Sequence, residues 1–227
     1  MWGFSMGTTT SNNLPRTLVI SDGSVASLLA CAGAREAIVS AGGDEKAARP
    51  IVLFVPVGDE TNRARRQAVE RQAKLYELDM ADMKTDLRGP GAHGSFGAGL
   101  SESIHLITAT YQAAQLGCDV VVWPVQFAGV SDVEKIARAS DRALLVTRLA
   151  SLDSTEHGKP AVRVETPFAD FTDRQMADLA IDMNVPVELC WWWEGKDEHA
   201  LQRIERWVPV LQSLGWSPSR STSRASA

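Results

Sequence analysis

The residues best suited to chemistry stand in one short loop near the start of the sequence. Ser21, Asp22, Gly23, Ser24 and Ser27 follow the apolar run TLVIS and lead into a segment of small residues. Between a parallel strand and a helix, unpaired N–H groups and the helix dipole favour a phosphate. The glycine lets a ligand approach the backbone, and the hydroxyls can donate hydrogen bonds. We therefore predict that these five residues bind a cofactor.

A plain strand-to-helix turn explains the same spacing equally well. In that interpretation Asp22 or Ser24 only caps the helix that follows. Two other kinds of phosphate loop are excluded, because the sequence contains neither Gly-Lys-Ser/Thr nor the G-x-G-x-x-G dinucleotide fingerprint.

Length and composition fit a single globular domain. The chain has 227 residues, of which 44% are hydrophobic and 22% charged. Its net charge of −5 argues against nucleic acid or a membrane surface as partner. No apolar run approaches the ~20 residues that span a bilayer. The first residues lack the basic and apolar regions of a secretory signal, and the three cysteines fit a reducing compartment. We therefore expect a cytoplasmic protein.

Strand-like and helix-like segments alternate along the chain. We expect a flexible tail over residues 1–14, one α/β nucleotide-binding-type domain over 15–216 and a disordered tail over 217–227. The predicted strands are 17–21, 50–57, 80–84, 118–125 and 161–166. The predicted helices are 24–41, 61–78, 101–117, 130–152, 172–184 and 199–214, with an irregular Gly-rich loop over 88–99. This alternation predicts a three-layer fold around a mostly parallel sheet.

Several segments, taken in order, resemble one family of enzymes. LVISDGSVASLLA resembles the Ser-Gly-Gly-x-Asp-Ser pyrophosphate loop of the N-type ATP pyrophosphatases. SIHLITATYQAAQLGCDVVVWPV and, above all, ETPFADFTDRQMADLAIDMNVPVELCWWW are similar to the 7-cyano-7-deazaguanine synthase family of queuosine biosynthesis. The resemblance covers about Thr17 to Gly215.

This resemblance implies a Rossmann-like fold of the adenine nucleotide alpha hydrolase type. It also implies ATP, with Mg²⁺, on the loop at Ser21–Ser27 and a homodimer. In the family, ATP adenylylates a carboxylate with release of pyrophosphate, ammonia then attacks, and a four-cysteine zinc site supports the C-terminal segment.

The sequence differs from the family at positions of the phosphate-binding loop and of the zinc site. Asp22 replaces the first glycine of the loop and places a negative charge where phosphate should approach, which is unfavourable unless a magnesium ion or an arginine lies opposite. Val25 and Ala26 replace the family's Asp and Ser or Thr. The four zinc cysteines correspond to Trp193, Asp197, Ala200 and Arg203. Cys190 and His199 remain, and two ligands cannot form a closed tetrahedral site. We predict neither a metal site nor nitrile synthesis.

Other residues allow two interpretations each. One of Trp191, Trp192 and Trp193 could stack on a purine, or the three rings could fill space and hold the last helix. His93 could act in proton transfer or be an ordinary loop residue. Asp132, Asp170 and Asp173 could hold magnesium, although Asp173 suits helix capping. The charges of the helix over 61–78, Arg65 among them, indicate a solvated face that could lend one arginine to a phosphate.

Two main hypotheses follow. The chain is a catalytically degenerate protein that binds a purine nucleotide, or it is an active ATP-dependent ligase that adenylylates an acid. A scaffold for another protein is a further alternative. Fold resemblance does not decide among them, because chemistry depends on the site.

Overall fold

Five parallel strands form the sheet in the part of the chain that the structure describes. The structure is a computed structural model and describes residues 15–42, 48–56, 59–83, 98–127, 133–157 and 161–218. The strands are β1 (Thr17–Ser21), β2 (Ile51–Phe54), β3 (Asp79–Asp82), β4 (Val120–Val122) and β5 (Arg163–Glu165). Their spatial order is β3-β2-β1-β4-β5, and every neighbouring pair is parallel.

Helices cover both faces of this sheet. They are α1 (Val25–Ser40), α2 (Asn62–Leu75), α3 (Ala98–Gln115), α4 (Val133–His157), α5 (Asp173–Asp182) and α6 (Glu198–Ser213), with a short 3₁₀ helix at Val187–Leu189. One core lies between the sheet and α1, α2, α5 and α6. A second core lies between the sheet and α3 and α4. The predicted three-layer α/β architecture is confirmed.

The continuous apolar runs of β1 and β2 follow from this burial on both faces. Val19 and Val52 belong to the first core, whereas Leu18 and Leu53 belong to the second. All four are fully buried. Because alternate residues of a strand point to opposite faces, both sets must be apolar.

Most elements differ from their predicted bounds by a few residues, and three differences are the largest. α3 begins at Ala98, inside the segment predicted to be irregular, and α4 continues to His157. β4 is only three residues long. Residues 1–14, 130–132 and 219–227, with His93 and Asp132, lie outside the described residues.

The helix ends that frame the carboxyl edge of the sheet carry side-chain caps. Ser24 caps α1, Thr172 forms a capping box with Gln175 at α5, and Asp197 caps α6. These caps fix where the three helices begin, at the edge where ligands of parallel sheets bind. Among the described helices, none is long and apolar enough to cross a membrane.

Candidate functional site

A cleft of about 590 Å³ opens at the carboxyl edge of the sheet. It lies beside the loop after β1 and the segment after β4. The chain builds the sheet outward in one direction from β1 and then in the other from β4, and open α/β sheets bind ligands at this switch point. The first turn of α1 and the inner side of α6 complete its walls. The five residues predicted to bind a cofactor lie together here, and four of them, all but Gly23, line the cleft.

The loop uses much of its own hydrogen-bonding capacity. Gly23 N donates to Ser21 Oγ at 3.2 Å, and Ser24 N donates to Asp22 Oδ1 at 3.1 Å. Ser27 Oγ donates to Asp22 Oδ1 at 2.9 Å, and the Ser27 amide is capped by Ser24. Several donors expected to hold a phosphate are therefore occupied by the loop itself. The amides of Val25 and Ala26 begin the open first turn of α1, where a helix lacks internal acceptors.

An ion pair across the loop neutralises Asp22. Arg65 Nη1 lies 2.8 Å from Asp22 Oδ2, and the side chain of Arg65 is only 9% exposed against 40% for Asp22. Arg65 Nε donates to Thr61 Oγ1 at 2.6 Å, and its guanidinium stacks 4.1 Å from the ring centroid of Trp191. The prediction that Arg65 belongs to a solvated face is therefore wrong, because Arg65 is buried. Its partner Asp22 lies 43 residues away in sequence, so helical spacing does not reveal the pair. The condition that an arginine must oppose Asp22 is met.

The same contacts set the ionisation of Asp22. Partial desolvation favours the neutral acid, but the Arg65 charge and hydrogen bonds from Ser24 and Ser27 outweigh it. The pKa of Asp22 is therefore held below its ordinary value. At neutral pH the Asp22 carboxylate is therefore charged. Its negative charge, which faces the cleft, is already paired with the Arg65 guanidinium.

Gly23 brings the loop against α2. Its φ is +76°, and a Cβ there would lie 3.0 Å from both Ala68 Cβ and the Arg65 carbonyl oxygen. The Gly23 carbonyl accepts from Trp191 N at 3.1 Å and from Gln72 Nε2 at 3.3 Å. Arg65, Ala68 and Gln72 form one stripe of α2 at spacings of three and four, which explains why two polar residues are buried there. Leu75, the last residue of α2, is exposed.

Tryptophans form the opposite wall. Residues 191–194 form turns and not an extended strand. Trp191 and Trp192 are buried in the first core, and Trp193 packs edge-on against Trp216 at 5.5 Å. The space-filling interpretation of these rings is therefore supported, although Trp191 and Trp192 also line the cleft together with Trp123 and Trp207. Trp123 is the half-buried member of these four.

The two arginines that α6 places in the cleft differ in their ion pairs. Arg206 binds Asp173 through two nitrogens at 2.9 and 2.6 Å, and Gln126 bridges both side chains. Asp173, one of three aspartates considered for magnesium, is thus an arginine partner, and Asp170 is exposed. Arg203 also lines the cleft and has no ion pair among the described residues. Desolvation lowers the pKa of Arg203, and the neighbouring Arg206 lowers it further, while the carboxylates of Asp22 and Asp173 act in the opposite direction.

Sequence reasoning missed Gln72, Gln126 and both cleft arginines of α6 as parts of the site. No group of three His, Cys, Asp or Glu residues suited to a metal occurs within the described ranges. Cys31 and Cys190 are buried in the first core, and Cys118 is buried in the second, across the sheet. Burial raises the pKa of the Cys31 thiol to about 12 and that of Cys118 to about 11.

Asp22→Asn removes the charge that faces the buried Arg65. We expect the free energy of unfolding at neutral pH to fall by about 1–2 kcal/mol, because solvent screens one side of the pair. The folded-state pKa is lowered, so the wild-type contribution is present above the unfolded value of about 3.9 and is lost as pH falls through the folded value. Urea denaturation should show the two proteins converging at acidic pH. Asp178→Asn, on an exposed residue of α5, is the control; an equal loss in both variants would contradict the assignment.

Gly23→Ala tests the close approach of the loop to α2. Both Gly23 and Gly42 have a positive φ, but nothing lies within 4 Å of a Cβ at Gly42. We expect Gly42→Ala to cost about 1 kcal/mol of unfolding free energy and Gly23→Ala at least about 1 kcal/mol more. Urea denaturation of both variants gives the difference. Equal costs would show that the contact with Ala68 and Arg65 relaxes freely.

Comparison with solved structures relates this fold to known proteins. The U34-tRNA thiolase NcsA from Methanococcus maripaludis, with its 4Fe–4S cluster, matches 89% of this chain and 71% of its own at 11% identity and a TM-score of 0.54. NMN synthetase from Francisella tularensis (92% and 80% coverage, 11% identity, TM-score 0.44) and NAD+ synthetase from Burkholderia Pseudomallei (94% and 70%, 16%, 0.38) are less similar in structure. No protein-family model and no curated protein sequence matches. The chain therefore shares its α/β fold with the thiolase NcsA.

Proposed function

We propose that the cleft binds a purine nucleotide and that its loop does not support release of pyrophosphate in the manner of the family it resembles. One observation carries this proposal above all. The cleft pairs its loop carboxylate internally, while Arg203 has no carboxylate within ion-pair distance among the described residues. The site is therefore arranged to attract an anion.

The anion would lie on the α6 side of the cleft. The charged residues that line it are Asp22, Glu102, Arg203 and Arg206. Asp22 is neutralised by Arg65, Glu102 by Arg142 and Arg206 by Asp173. One positive charge remains, and a guanidinium suits a phosphate group because its planar donors match two oxygens.

An aromatic surface for a purine is present in the same cleft. Trp192 is completely buried, and the guanidinium of Arg65 covers a face of Trp191. Trp207 is also buried. Trp123 lies at the end of β4 with the Arg142 guanidinium 5.9 Å from its ring centroid, and as the least buried of the four rings it is the one that we expect to stack on a base.

The loop itself argues for a degenerate catalyst. A terminal pyrophosphate at Ser21–Ser27 would compete with the loop's own hydrogen bonds and would lie beside the Asp22 carboxylate. ATP and Mg²⁺ remain candidate ligands, since Mg²⁺ could screen that carboxylate. The alternative, an active ligase that adenylylates an acid, is favoured by one fact: Arg65 pairs with the Asp22 carboxylate that would repel a phosphate. A protein-binding scaffold without a nucleotide is the remaining alternative.

Two finer relationships remain proposals. Membership of the 7-cyano-7-deazaguanine synthase family depends on the sequence resemblance alone, and so does a homodimer. NcsA is a thiolase with a 4Fe–4S cluster, but the fold likeness at 11% identity does not carry its chemistry to this chain. The net charge of −5 and the separated, buried cysteines give no support for such a role.

Nucleotide titration of the full chain tests the proposal. Tryptophan fluorescence and calorimetry with ATP, ADP and adenosine, each with and without Mg²⁺, should show that both phosphorylated ligands bind. Arg203→Gln should weaken ATP roughly tenfold or more, because a charge-assisted hydrogen bond is lost, and should leave adenosine unchanged. Arg174→Gln, on the exposed side of α5, is the matched control. Trp123→Leu should weaken all three ligands.

Pyrophosphate release, measured on the same samples, separates the hypotheses. We expect none from wild-type protein. Release that disappears in Gly23→Val would establish the active ligase instead. Absence of binding by every purine nucleotide would refute both nucleotide hypotheses and leave the scaffold.

A further inference from the structure

Two carboxylates line the cleft among the described residues, and their oxygens are used to different extents. Both oxygens of Asp22 are engaged, Oδ1 by groups of its own loop and Oδ2 by Arg65 at 2.8 Å. Glu102 of α3 has a single such contact, between its Oε2 and Arg142 Nη1 at 2.6 Å. No described residue donates a hydrogen bond to its Oε1. Glu102 therefore brings a spare acceptor oxygen to the wall of the cleft.

The guanidinium of Arg142 holds this carboxylate in place. Arg142 extends from α4, and its side chain is only 18% exposed against 45% for Glu102. Its Nε donates to Ser103 Oγ at 2.9 Å while its Nη1 donates to Glu102, so two neighbouring residues of α3 fix the guanidinium. Because Glu102 is already ordered by this contact, it can bind a ligand with little further loss of side-chain freedom.

The same guanidinium places Glu102 near Trp123. The centre of the Arg142 guanidinium lies 5.9 Å from the centroid of the Trp123 ring. Glu102 and Trp123 therefore share one neighbouring side chain, and both line the cleft. Trp123 is the ring on which we expect a base to stack. The carboxylate is thus close to whatever group is joined to that base.

The chemistry of a carboxylate restricts what can lie beside it. An ionised carboxylate only accepts hydrogen bonds, and it repels a phosphate. The part of a ligand beside Glu102 must therefore carry O–H or N–H donors. In a nucleotide the sugar joins the base to the phosphate, and the hydroxyls of ribose are such donors. Acidic side chains bind ribose hydroxyls in other doubly wound sheets as well.

We propose that Glu102 is a specificity-determining residue, which accepts a hydrogen bond from a ribose hydroxyl of the bound nucleotide. The cleft is then selective for ribonucleotides over deoxyribonucleotides. This inference rests on the proposed function, since it requires a nucleotide with its base on Trp123 and its phosphate near Arg203. The two charged side chains divide the ligand between them: Arg203 binds the anion, and Glu102 binds the neutral sugar.

The exposure of Glu102 sets the size of the expected selectivity. Hydrogen bonds to charged groups are stronger than those between neutral groups, but water competes for an oxygen of a side chain that is nearly half exposed. We therefore expect loss of the hydroxyl to weaken binding about tenfold, at the lower end of the range for a charged acceptor.

Calorimetric titration of the full chain with ATP, 2′-deoxyATP and 3′-deoxyATP tests the proposal. Mg²⁺ is left out, so that a metal ion on the carboxylate cannot imitate the effect. Wild-type protein should bind ATP about tenfold more tightly than at least one deoxy analogue. In Glu102→Ala the same two ligands should bind equally, and this ratio within one variant cancels any general disturbance of the cleft. Glu134→Ala is the matched control and should keep the wild-type ratio, because Glu134 also pairs with an arginine of α4, Arg138, but does not line the cleft.

The possible outcomes separate this inference from the proposed function. Equal binding of ATP and both deoxy analogues by wild-type protein would overturn the inference alone, and so would a preference that survives Glu102→Ala. The triphosphate of purine riboside lacks the amino group of adenine and should bind as tightly as ATP. A weaker affinity for this ligand that Glu102→Ala abolishes would assign Glu102 to the base and not to the sugar. Failure of every nucleotide to bind would refute the proposed function and this inference with it.

Discussion

The ion pair between Asp22 and Arg65 is the constraint on which the cleft depends. It joins the loop after β1 to α2, and through the stacked guanidinium it also holds Trp191. Arg65 is nearly buried, and a buried guanidinium without a counter-ion is costly. Asp22 is therefore stabilised in place, although a carboxylate is unfavourable beside a phosphate. A glycine at position 22 would suit the phosphate better but would leave Arg65 without its carboxylate.

The rotation of α2 about its own axis makes this arrangement possible, because it turns one stripe of the helix towards the loop. Arg65, Ala68 and Gln72 meet the loop from one stripe of the helix, and each contacts a different group of it: the carboxylate, the space beside Gly23 and the Gly23 carbonyl. A rotation of α2 by one residue would break all three contacts together. The loop and α2 thus form one structural unit, and substitutions in either would have to be compensated in the other.

Periodicity in the sequence predicts much of the fold and little of the charge pairing. The centre of TLVIS and all of IVLF are apolar, so a strand buried on both faces is the natural prediction, and Thr172 marks the start of α5. Arg65 looks solvated, because helical spacing shows only the neighbouring charges and not a partner on another element. The tryptophan turn and the contribution of α6 likewise depend on tertiary contacts that no local pattern encodes. The five predicted loop residues come together because they are adjacent in sequence, whereas Arg203 joins them only through folding.

The two cores lie on different faces of the sheet, and residues of both meet the cleft at its carboxyl edge. Ligands of parallel sheets bind at the carboxyl edge, and there the first core, rich in tryptophan, leaves a concave cleft. The second core is smaller and is covered by α3 and α4, whose outer faces carry exposed apolar side chains among the described residues. β1 and β4 contribute to both cores, so the strands that carry the cleft are held from both faces of the sheet.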